Sequence, residues 1–343
     1  MMNNVMILAG AGILSFLIAW VLGRWLIPWL HKLKFGQTIL ADGPTWHQNK
    51  QGTPTMGGIL FILGFVVSVL LAVVAVYVFG NPALPTELPK LLSTPYELAR
   101  FWGGFGLAIG CGLIGFLDDY IKVVKKRNKG LSASQKLFCQ LLVSTAYAVL
   151  LYVYGEGKFH IPFFGEVCWG IWYVPFTVFV IVAMSNATNL TDGVDGLCGL
   201  TGFVAALALL LLSGLSGHLS LGIPAVALAG GLAGFLMWNF HPAKVFMGDT
   251  GSLFIGGALT AIAFGIERPF LLVPIGILYI AENLSVILQV GYFKLTHGKR
   301  LFKMSPLHHH FEMCGWSENR IVTVFALVTL VGCAGAVLLQ MFA

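Results

Sequence analysis

The sequence carries few charges for its length. Only 10% of its 343 residues are Asp, Glu, Lys or Arg, 57% are hydrophobic, and the mean hydropathy is +0.86. Uncharged apolar runs of membrane-spanning length recur along it, and such runs exclude a soluble domain. We therefore predict an all-α polytopic protein that resides in a lipid bilayer and forms a single membrane domain over residues 1–343.

Other features that the sequence lacks narrow the range of functions. The six cysteines are scattered and none has CxxC spacing, so we expect reduced structural thiols and no dedicated zinc site. Nothing resembles a Walker loop, which gives no support to nucleoside triphosphate hydrolysis. The net charge of +6 is too modest to argue for nucleic acid, and none is predicted as a partner.

About ten apolar runs are long enough to be membrane spans, the fifth and eighth being the shortest candidates. No basic residue precedes the first run and no small-residue cleavage site follows it, so we interpret it as a permanent helix. The predicted spans are Val5–Leu30, Gly57–Phe79, Phe101–Leu117, Leu137–Val153, Trp169–Ala187, Leu197–Leu212, Leu219–Trp238, Thr250–Ile266, Phe270–Val290 and Ile321–Phe342.

The basic residues set the predicted orientation. Fifteen of the 20 Lys and Arg residues fall in the odd-numbered connections, four in or beside the even-numbered ones, and Arg24 lies inside the first span. By the positive-inside rule the odd connections face the cytoplasm, so both termini face outward. Between the spans, Gly155–Trp169 is typical of a small outer hairpin, and Asn81–Pro95 allows a short surface helix at most.

The stretch Asn189–Leu197, on a predicted inner connection, places Asp192 and Asp195 between two apolar runs. Carboxylates beside membrane segments are costly and usually face a wet cavity or a cation. Gly193 and Gly196 make a continuous helix unfavourable, so we predict a broken element that presents carboxylates and backbone donors together.

Three more acids belong to the same face of the membrane. Asp118 and Asp119 end the third span, where adjacent helical residues point about 100° apart and should have different roles, while Lys122 can face Asp118. Asp249 stands where the eighth span begins, and a lone aspartate there would be an ordinary N-cap. Hard oxygen donors gathered at one level suggest Mg²⁺.

Groups suited to an anion lie on the same side. The turn from Lys50 to Gly58 leads into the second span, and it is either a helix start with Pro54 in its first turn or a source of free backbone donors and a lysine. His308, His309 and His310 suit phosphate, a transition metal or a plain surface. Acids for Mg²⁺ and cations for phosphate at a cytoplasmic cleft indicate phosphoryl transfer between a water-soluble and a lipid-embedded substrate.

The strings PTMGG, LDDY, NLTDGVDGL, NFHPAKVFMGDTGS and SPLHHHFE closely resemble the phospho-N-acetylmuramoyl-pentapeptide transferase family of bacteria. The resemblance covers essentially the whole chain, with the motifs in order on the inner loops. It implies Mg²⁺-dependent transfer of phospho-MurNAc-pentapeptide from UDP-MurNAc-pentapeptide to undecaprenyl phosphate in the bacterial inner membrane. The products would be lipid I and UMP.

The resemblance also implies roles for individual residues. Asp118, Asp119 and Asp249 match the essential acids and candidate Mg²⁺ ligands, with Asp118 as the base for the lipid phosphate, and His308 belongs to the catalytic set. The expected substrate-binding residues are Lys50, Thr55, Lys122, Lys136, Asn189, Asp192, Asp195, Asn239, Phe246, Gln289, His309 and His310.

Several alternatives stay open from the sequence. A sister enzyme that moves GlcNAc-1-phosphate would share the acid motifs, although SPLHHHFE favours the muramoyl family. An ion-coupled transporter is disfavoured because the acids crowd one face, with only Glu282 inside a span, which we interpret as a polar contact within the bundle. A non-catalytic scaffold is disfavoured by the acid cluster.

Direct attack by the lipid phosphate is favoured over a two-step route through an aspartyl-phosphate. A homodimer is left open, because glycine-rich helix faces can pack within or between chains.

Overall fold

The apolar runs form the helices of the structure, a computed structural model that describes residues 2–32, 50–79, 94–124 and 130–342. Most of the connection 81–95, predicted to be an outer one, and the basic stretch 125–129 lie outside the described residues. The α-helices are α1 (Met2–Lys32), α2 (Gly58–Phe79), α3 (Pro95–Leu98), α4 (Gly104–Val124), α5 (Ala133–Gly155), α6 (Tyr173–Thr191), α7 (Leu197–Leu215), α8 (Gly222–Asn239), α9 (Gly248–Gly265), α10 (Leu272–Ile275), α11 (Ile277–Leu295), α12 (Leu307–Glu312) and α13 (Glu318–Phe342).

These helices confirm a multi-pass membrane protein. Within the described ranges, eight helical segments are long and apolar enough to cross a bilayer, and α10 with α11 forms a further candidate that is bent by 77°. The segment that includes α4 runs from α3 through one π-helical stretch, Ala99–Gly103. Each predicted span has a helix at its position, and the count of ten stays a prediction.

The centre of the bundle is α9, the eighth predicted span. Every residue from Thr250 to Gly265 is buried, and α4 and α6 pack along it. Gly115 of α4 lies so close to the Asp249 carbonyl that any side chain at position 115 would overlap it. This close backbone approach brings the cytoplasmic end predicted for α4 to the first turn of α9.

The predicted break between the fifth and sixth spans is confirmed. Helix α6 ends at Thr191, and α7 begins at Leu197 after a turn in which Gly196 has φ +82°. The Gly196 amide donates a hydrogen bond to Asn239 Oδ1 at 3.0 Å, which ties this turn to the end of α8. The turn is therefore a fixed element beside the first turn of α9.

Two smaller predictions are also confirmed. The predicted hairpin consists of strands β1 (Lys158–Ile161) and β2 (Gly165–Cys168), which pair antiparallel with Lys158 opposite Cys168. All six cysteines are free thiols, three of them buried.

Candidate active site

Three carboxylates from two helices meet at one point. Asp118 and Asp119 come from the last turns of α4, and Asp249 comes from the first turn of α9. One oxygen of each lies within 4.8 Å of the others, so the group could hold a metal ion. Asp118 and Asp119 are buried, and the Asp249 side chain is 18% exposed. The close contact of α4 with α9 thus creates the cluster that separate sequence motifs predicted.

Asp119 binds the start of α9. Its Oδ2 accepts hydrogen bonds from the Thr250 amide at 2.9 Å and the Thr250 hydroxyl at 2.7 Å, and its Oδ1 accepts one from the Asp249 amide at 3.2 Å. The first amides of a helix have no partners within that helix, so a carboxylate from outside satisfies them. Asp119 therefore performs the capping role, and Asp249 is free to point elsewhere.

Asp118 faces a different set of donors. Its Oδ1 accepts a hydrogen bond from the Leu131 amide at 2.7 Å, and its Oδ2 lies 2.5 Å from Lys122 Nζ. The expectation that Lys122 faces Asp118 is confirmed, and the adjacent acids do have different partners. Lys122 Nζ also lies 3.1 Å from Asp249 Oδ2 and 4.0 Å from Asp119 Oδ1, so one ammonium group sits among all three carboxylates.

Asp249 is held by groups from three helices. Lys122 of α4 and Lys136 of α5 both contact its Oδ2, the second at 3.0 Å, and Asn189 of α6 donates to its Oδ1 at 2.9 Å. Lys136 also donates to Asn189 Oδ1 at 3.0 Å. Four predicted site residues thus form one connected network.

Asp192 lies beside this network at the end of α6. Burial, together with the negative charges of Asp249 and Asp119, raises the pKa of its carboxyl group to about 8, although the hydrogen bond from the Gly248 amide lowers it. The Asp192 side chain is only partly exposed. Its carboxyl group is therefore poorly hydrated and lies close to other negative charges. A cation near these acids would be attracted by all of them.

A second polar group forms on the other side of the α6–α7 turn. Asp195 Oδ1 lies 2.8 Å from Lys50 Nζ, and its Oδ2 lies 3.0 Å from His241 Nδ1 and 3.1 Å from the Ala243 amide. Glu318 Oε2 contacts the same Lys50 ammonium at 2.6 Å. Lys50 is therefore an ion-paired residue, held between two carboxylates.

The turn that precedes α2 was expected to offer either a helix start or free backbone donors. The expectation of free donors is wrong for two of its amides. Gly57 N–H donates to the Phe246 carbonyl at 2.8 Å, and Gly58 N–H donates to the Met247 carbonyl at 2.9 Å. The turn instead fixes the 246–248 segment, with the buried Thr55 hydroxyl against Gly248. Phe246, a predicted substrate contact, is partly exposed beside it.

The three predicted histidines have different partners. His308 Nδ1 lies 3.2 Å from Glu282 Oε2, His309 Nδ1 lies 2.6 Å from Glu312 Oε2, and His310 Nδ1 accepts a hydrogen bond from the Lys303 amide at 3.2 Å. The interpretation of Glu282 as a polar contact within the bundle is confirmed, because its buried carboxylate contacts His308. Each histidine thus has its own partner, while the His308 and His309 rings lie 4.2 Å apart.

Gln289 makes its hydrogen bonds away from the acid cluster. Its Oε1 accepts from the Leu301 and Phe302 amides at 3.0 and 2.9 Å, and its Nε2 donates to the Phe302 carbonyl at 3.2 Å. Both ends of the side chain hold the segment that leads to α12. Asn239 likewise binds backbone, accepting from Gly196 and donating to the Val245 carbonyl.

Sequence reasoning missed three residues of these networks. His241 lies inside the NFHPAK string, yet a histidine before proline in a connection carries no signal of its own. Glu318 opens α13, where an acid is ordinary for a helix start. Thr250 follows Asp249 and gave no sign that it binds Asp119. Only the tertiary contacts identify these three.

Comparison with known proteins decides the family. The Glycosyl transferase family 4 model matches residues 101–266, and the phospho-N-acetylmuramoyl-pentapeptide-transferase signature 1 matches residues 50–62. The phospho-N-acetylmuramoyl-pentapeptide-transferase of Clostridium perfringens (strain 13 / Type A) is 45% identical over 322 residues, which cover 94% of this chain and 95% of the relative. The chain belongs to the phospho-N-acetylmuramoyl-pentapeptide-transferase family.

Other members of the phospho-N-acetylmuramoyl-pentapeptide-transferase family match over similar lengths. The protein of Desulforamulus reducens is 46% identical over 98% of this chain and 97% of its own length, and that of Caldanaerobacter subterraneus subsp. tengcongensis is 44% identical over 94% and 95%. Membership confirms the resemblance seen in the sequence and makes the chain a phospho-sugar transferase. The family 4 match includes the three clustered acids as well as Asp192 and Asp195, and the signature includes Lys50 and the turn before α2.

Proposed function

We propose that this chain transfers phospho-MurNAc-pentapeptide from UDP-MurNAc-pentapeptide to undecaprenyl phosphate. An oxygen of the lipid phosphate forms a bond to the β-phosphorus of the nucleotide, the bond from that phosphorus to its bridging oxygen breaks, and UMP leaves with the electron pair. The product is lipid I. One phosphoanhydride replaces another, so no separate energy source is needed. The observation that carries the proposal is the three-carboxylate cluster with two lysines, in a member of this family.

The residues present fit Mg²⁺. Three carboxylates supply hard oxygen donors, and the Lys122 ammonium already lies among them, so the position attracts positive charge. We propose Asp118, Asp119 and Asp249 as the residues that would hold the ion. When bound, Mg²⁺ would neutralise charge on the diphosphate.

The other residues have roles that follow from their contacts. Lys122 and Lys136 present cations to the diphosphate from α4 and α5, and they stabilise charge that builds on the oxygens during transfer. Asp118 accepts the proton of the lipid phosphate. Asn189 holds Lys136 and Asp249 in position, because it accepts a hydrogen bond from Lys136 and donates one to Asp249.

The second polar group is suited to the nucleotide. Lys50, Asp195 and Asn239 lie around the α6–α7 turn, and Asn239 also donates to the carbonyl of Val245, the residue before the partly exposed Phe246. A nucleotide here would exchange contacts with Lys50 and stack on Phe246. Gln289 and His310 hold residues 301–303 before α12, and His309 pairs with Glu312 within α12, so these three residues order the segment around α12.

The orientation in the membrane follows from charge. Fifteen of the 20 Lys and Arg residues lie on the predicted cytoplasmic connections. We propose ten spans with both termini outside, in the bacterial inner membrane, with the cleft open to the cytoplasm where a UDP-linked substrate is found. A homodimer through glycine-rich helix faces is compatible with this arrangement.

The decisive experiment measures UMP release by purified protein. Undecaprenyl phosphate is supplied with UDP-MurNAc-pentapeptide or with UDP-GlcNAc, each in Mg²⁺ or in EDTA. We expect release with the muramoyl substrate alone, abolished by EDTA and by Asp249→Ala. Lys299→Ala, an exposed lysine away from the cluster, serves as the control that stays active. Release only with UDP-GlcNAc assigns the sister reaction, and no release from folded protein with either refutes the proposal.

A further inference from the structure

A buried serine lies behind the residues that hold Asp249. Ser252 follows Asp249 by three positions on α9, and it is 0% exposed. Its Oγ accepts a hydrogen bond from Asn189 Nδ2 at 2.8 Å and donates one to the Gly248 carbonyl at 3.0 Å. The Ser252 hydroxyl therefore joins the backbone of α9 to a side chain of the acid network.

A close approach of α6 to α9 brings this hydroxyl to Asn189. A methyl group at position 256 would lie 2.5 Å from Ser185 Cα, so the two helix backbones are in contact beside Gly256. The buried Thr188 hydroxyl donates to the Ser252 carbonyl at 2.8 Å. Ser252 is thus fixed against α6 through its backbone as well as through its side chain.

The hydrogen-bond directions in this network follow from the groups present. A backbone carbonyl only accepts, so the single hydroxyl proton of Ser252 goes to Gly248 and the Ser252 oxygen becomes an acceptor. Asn189 Nδ2 carries two protons, and its acceptors are Ser252 Oγ and Asp249 Oδ1, the second at 2.9 Å. Asn189 Oδ1 then faces Lys136 Nζ, which only donates, at 3.0 Å. The network therefore accepts the Asn189 amide in one orientation only.

We propose that Ser252 is a positioning residue for phosphoryl transfer, because its hydroxyl orients the Asn189 amide that places Lys136 and Asp249. The reaction that it serves rests on the proposed function. Lys136 Nζ lies 3.0 Å from Asp249 Oδ2, and both residues bond to Asn189, so rotation of this one amide would displace both charged groups. Ser252 acts through Asn189, as a supporting partner acts through the group that it orients.

Ser252→Ala tests this role, because it removes one hydroxyl and little volume. One proton of Asn189 Nδ2 then loses its acceptor in a buried position, which is unfavourable. The matched control is Thr260→Val, two turns further along α9. Thr260 is also 0% exposed, and its hydroxyl donates to the Gly256 carbonyl of its own helix, so the control removes a buried hydroxyl that does not bind Asn189.

The first readout is kinetic, with UMP release measured well below the melting temperature of each variant. We expect S252A to lower kcat by about 10- to 100-fold, the usual size for loss of a supporting partner. The KM for the nucleotide should stay within about threefold, because Lys136 and Asp249 would be misplaced chiefly for the charge that builds during transfer. T260V should keep the wild-type kcat. An S252A kcat within about twofold of the wild type, or an equal loss in T260V, overturns the proposal.

The second readout is a double-mutant cycle in melting temperature, which requires no substrate. Ser252→Ala and Asn189→Ala are measured singly and together. If the hydroxyl acts on Asn189, the double variant should lose less than the sum of the two single losses, because the unpaired amide is absent from it. Thr260→Val combined with Asn189→Ala should give additive losses. Additive losses for Ser252 and Asn189 would show that the serine does not hold the amide, and they overturn the proposal.

These outcomes separate the inference from the proposed function. If the wild-type protein releases no UMP with either nucleotide, the proposed function fails. The melting-temperature cycle still decides whether Ser252 holds Asn189, because it is measured on the protein alone.

Discussion

The carboxylate of Asp119 accepts hydrogen bonds from both the amide and the hydroxyl of Thr250, 131 residues further along the chain. Its neighbour Asp118 points at Lys122 and at the Leu131 amide instead. One acid therefore joins α4 to the start of α9, while the other pairs with Lys122 of its own helix. The two adjacent acids should affect stability and catalysis differently when each is replaced.

We expect Asp119→Ala to lower stability more than Asp118→Ala does. Asp119 accepts three hydrogen bonds from the start of α9, and their loss should cost about 2–3 kcal/mol, against about 1 kcal/mol for the single backbone bond to Asp118. Thermal unfolding of the purified variants in Mg²⁺ measures the difference, and UMP release should be lost in both. Equal melting temperatures would show that Asp119 does not anchor α9.

Gly248→Ala should inactivate the protein without removing any chemical group. Gly248 has φ +75°, which costs an L-residue about 1–2 kcal/mol, and a methyl group there would lie 2.5 Å from Asp119 Oδ2 and 2.7 Å from Thr55 Oγ1. We expect UMP release to fall at least about 100-fold, since a small misplacement at a site of this kind has that effect. Gly106→Ala on α4 has open space around it and is the matched control that should stay active.

The sequence predicts the site's acids better than it predicts how they are held. Apolar runs and glycine breaks predicted a helix near each of the ten spans, but not the short helix α12, because hydropathy and backbone freedom are local properties. The acids stood out because charge is rare in this chain. The partners of these acids did not, since Thr250, His241 and Glu318 are ordinary at helix starts and in loops. Which groups meet depends on how α4 packs on α9, and no local pattern encodes that.

Lys122→Met should lower kcat and at the same time raise the affinity for Mg²⁺. The Lys122 ammonium contacts Asp118 and Asp249 at 2.5 and 3.1 Å, so it competes with a cation for the same carboxylates. Removing it should lower the Mg²⁺ concentration for half-maximal thermal protection by about threefold or more, while kcat falls because the diphosphate loses a cation. Lys299→Met is the control. Weaker Mg²⁺ protection in Lys122→Met would contradict the placement of the ion among these acids.

Asp192 should make the metal-free protein less stable as the pH rises. Its pKa is raised to about 8 in the folded protein, against about 3.9 in an unfolded chain. The folded state therefore keeps a proton that the unfolded state has released, and stability falls progressively as the pH rises from about 4 to about 8. In EDTA, we expect the melting temperature of the wild type to fall more between pH 6 and pH 8 than that of Asp192→Asn. This pH range lies between the unfolded pKa of about 3.9 and the folded pKa of about 8. Parallel curves would refute the raised pKa.

Direct attack by the lipid phosphate predicts that no phosphoryl group is ever attached to the protein. Attack by an Asp118 oxygen on phosphorus would cost that oxygen its present contact, either the hydrogen bond from Leu131 N–H or the ion pair with Lys122. A phosphate monoester is already a competent nucleophile and requires no such loss. Incubation with nucleotide labelled at the β-phosphate, without lipid, followed by denaturation and mass spectrometry, should therefore find an unmodified Asp118. Label retained on wild-type protein and absent from Asp118→Asn would establish the two-step route, and UMP released before any lipid is added would support it independently.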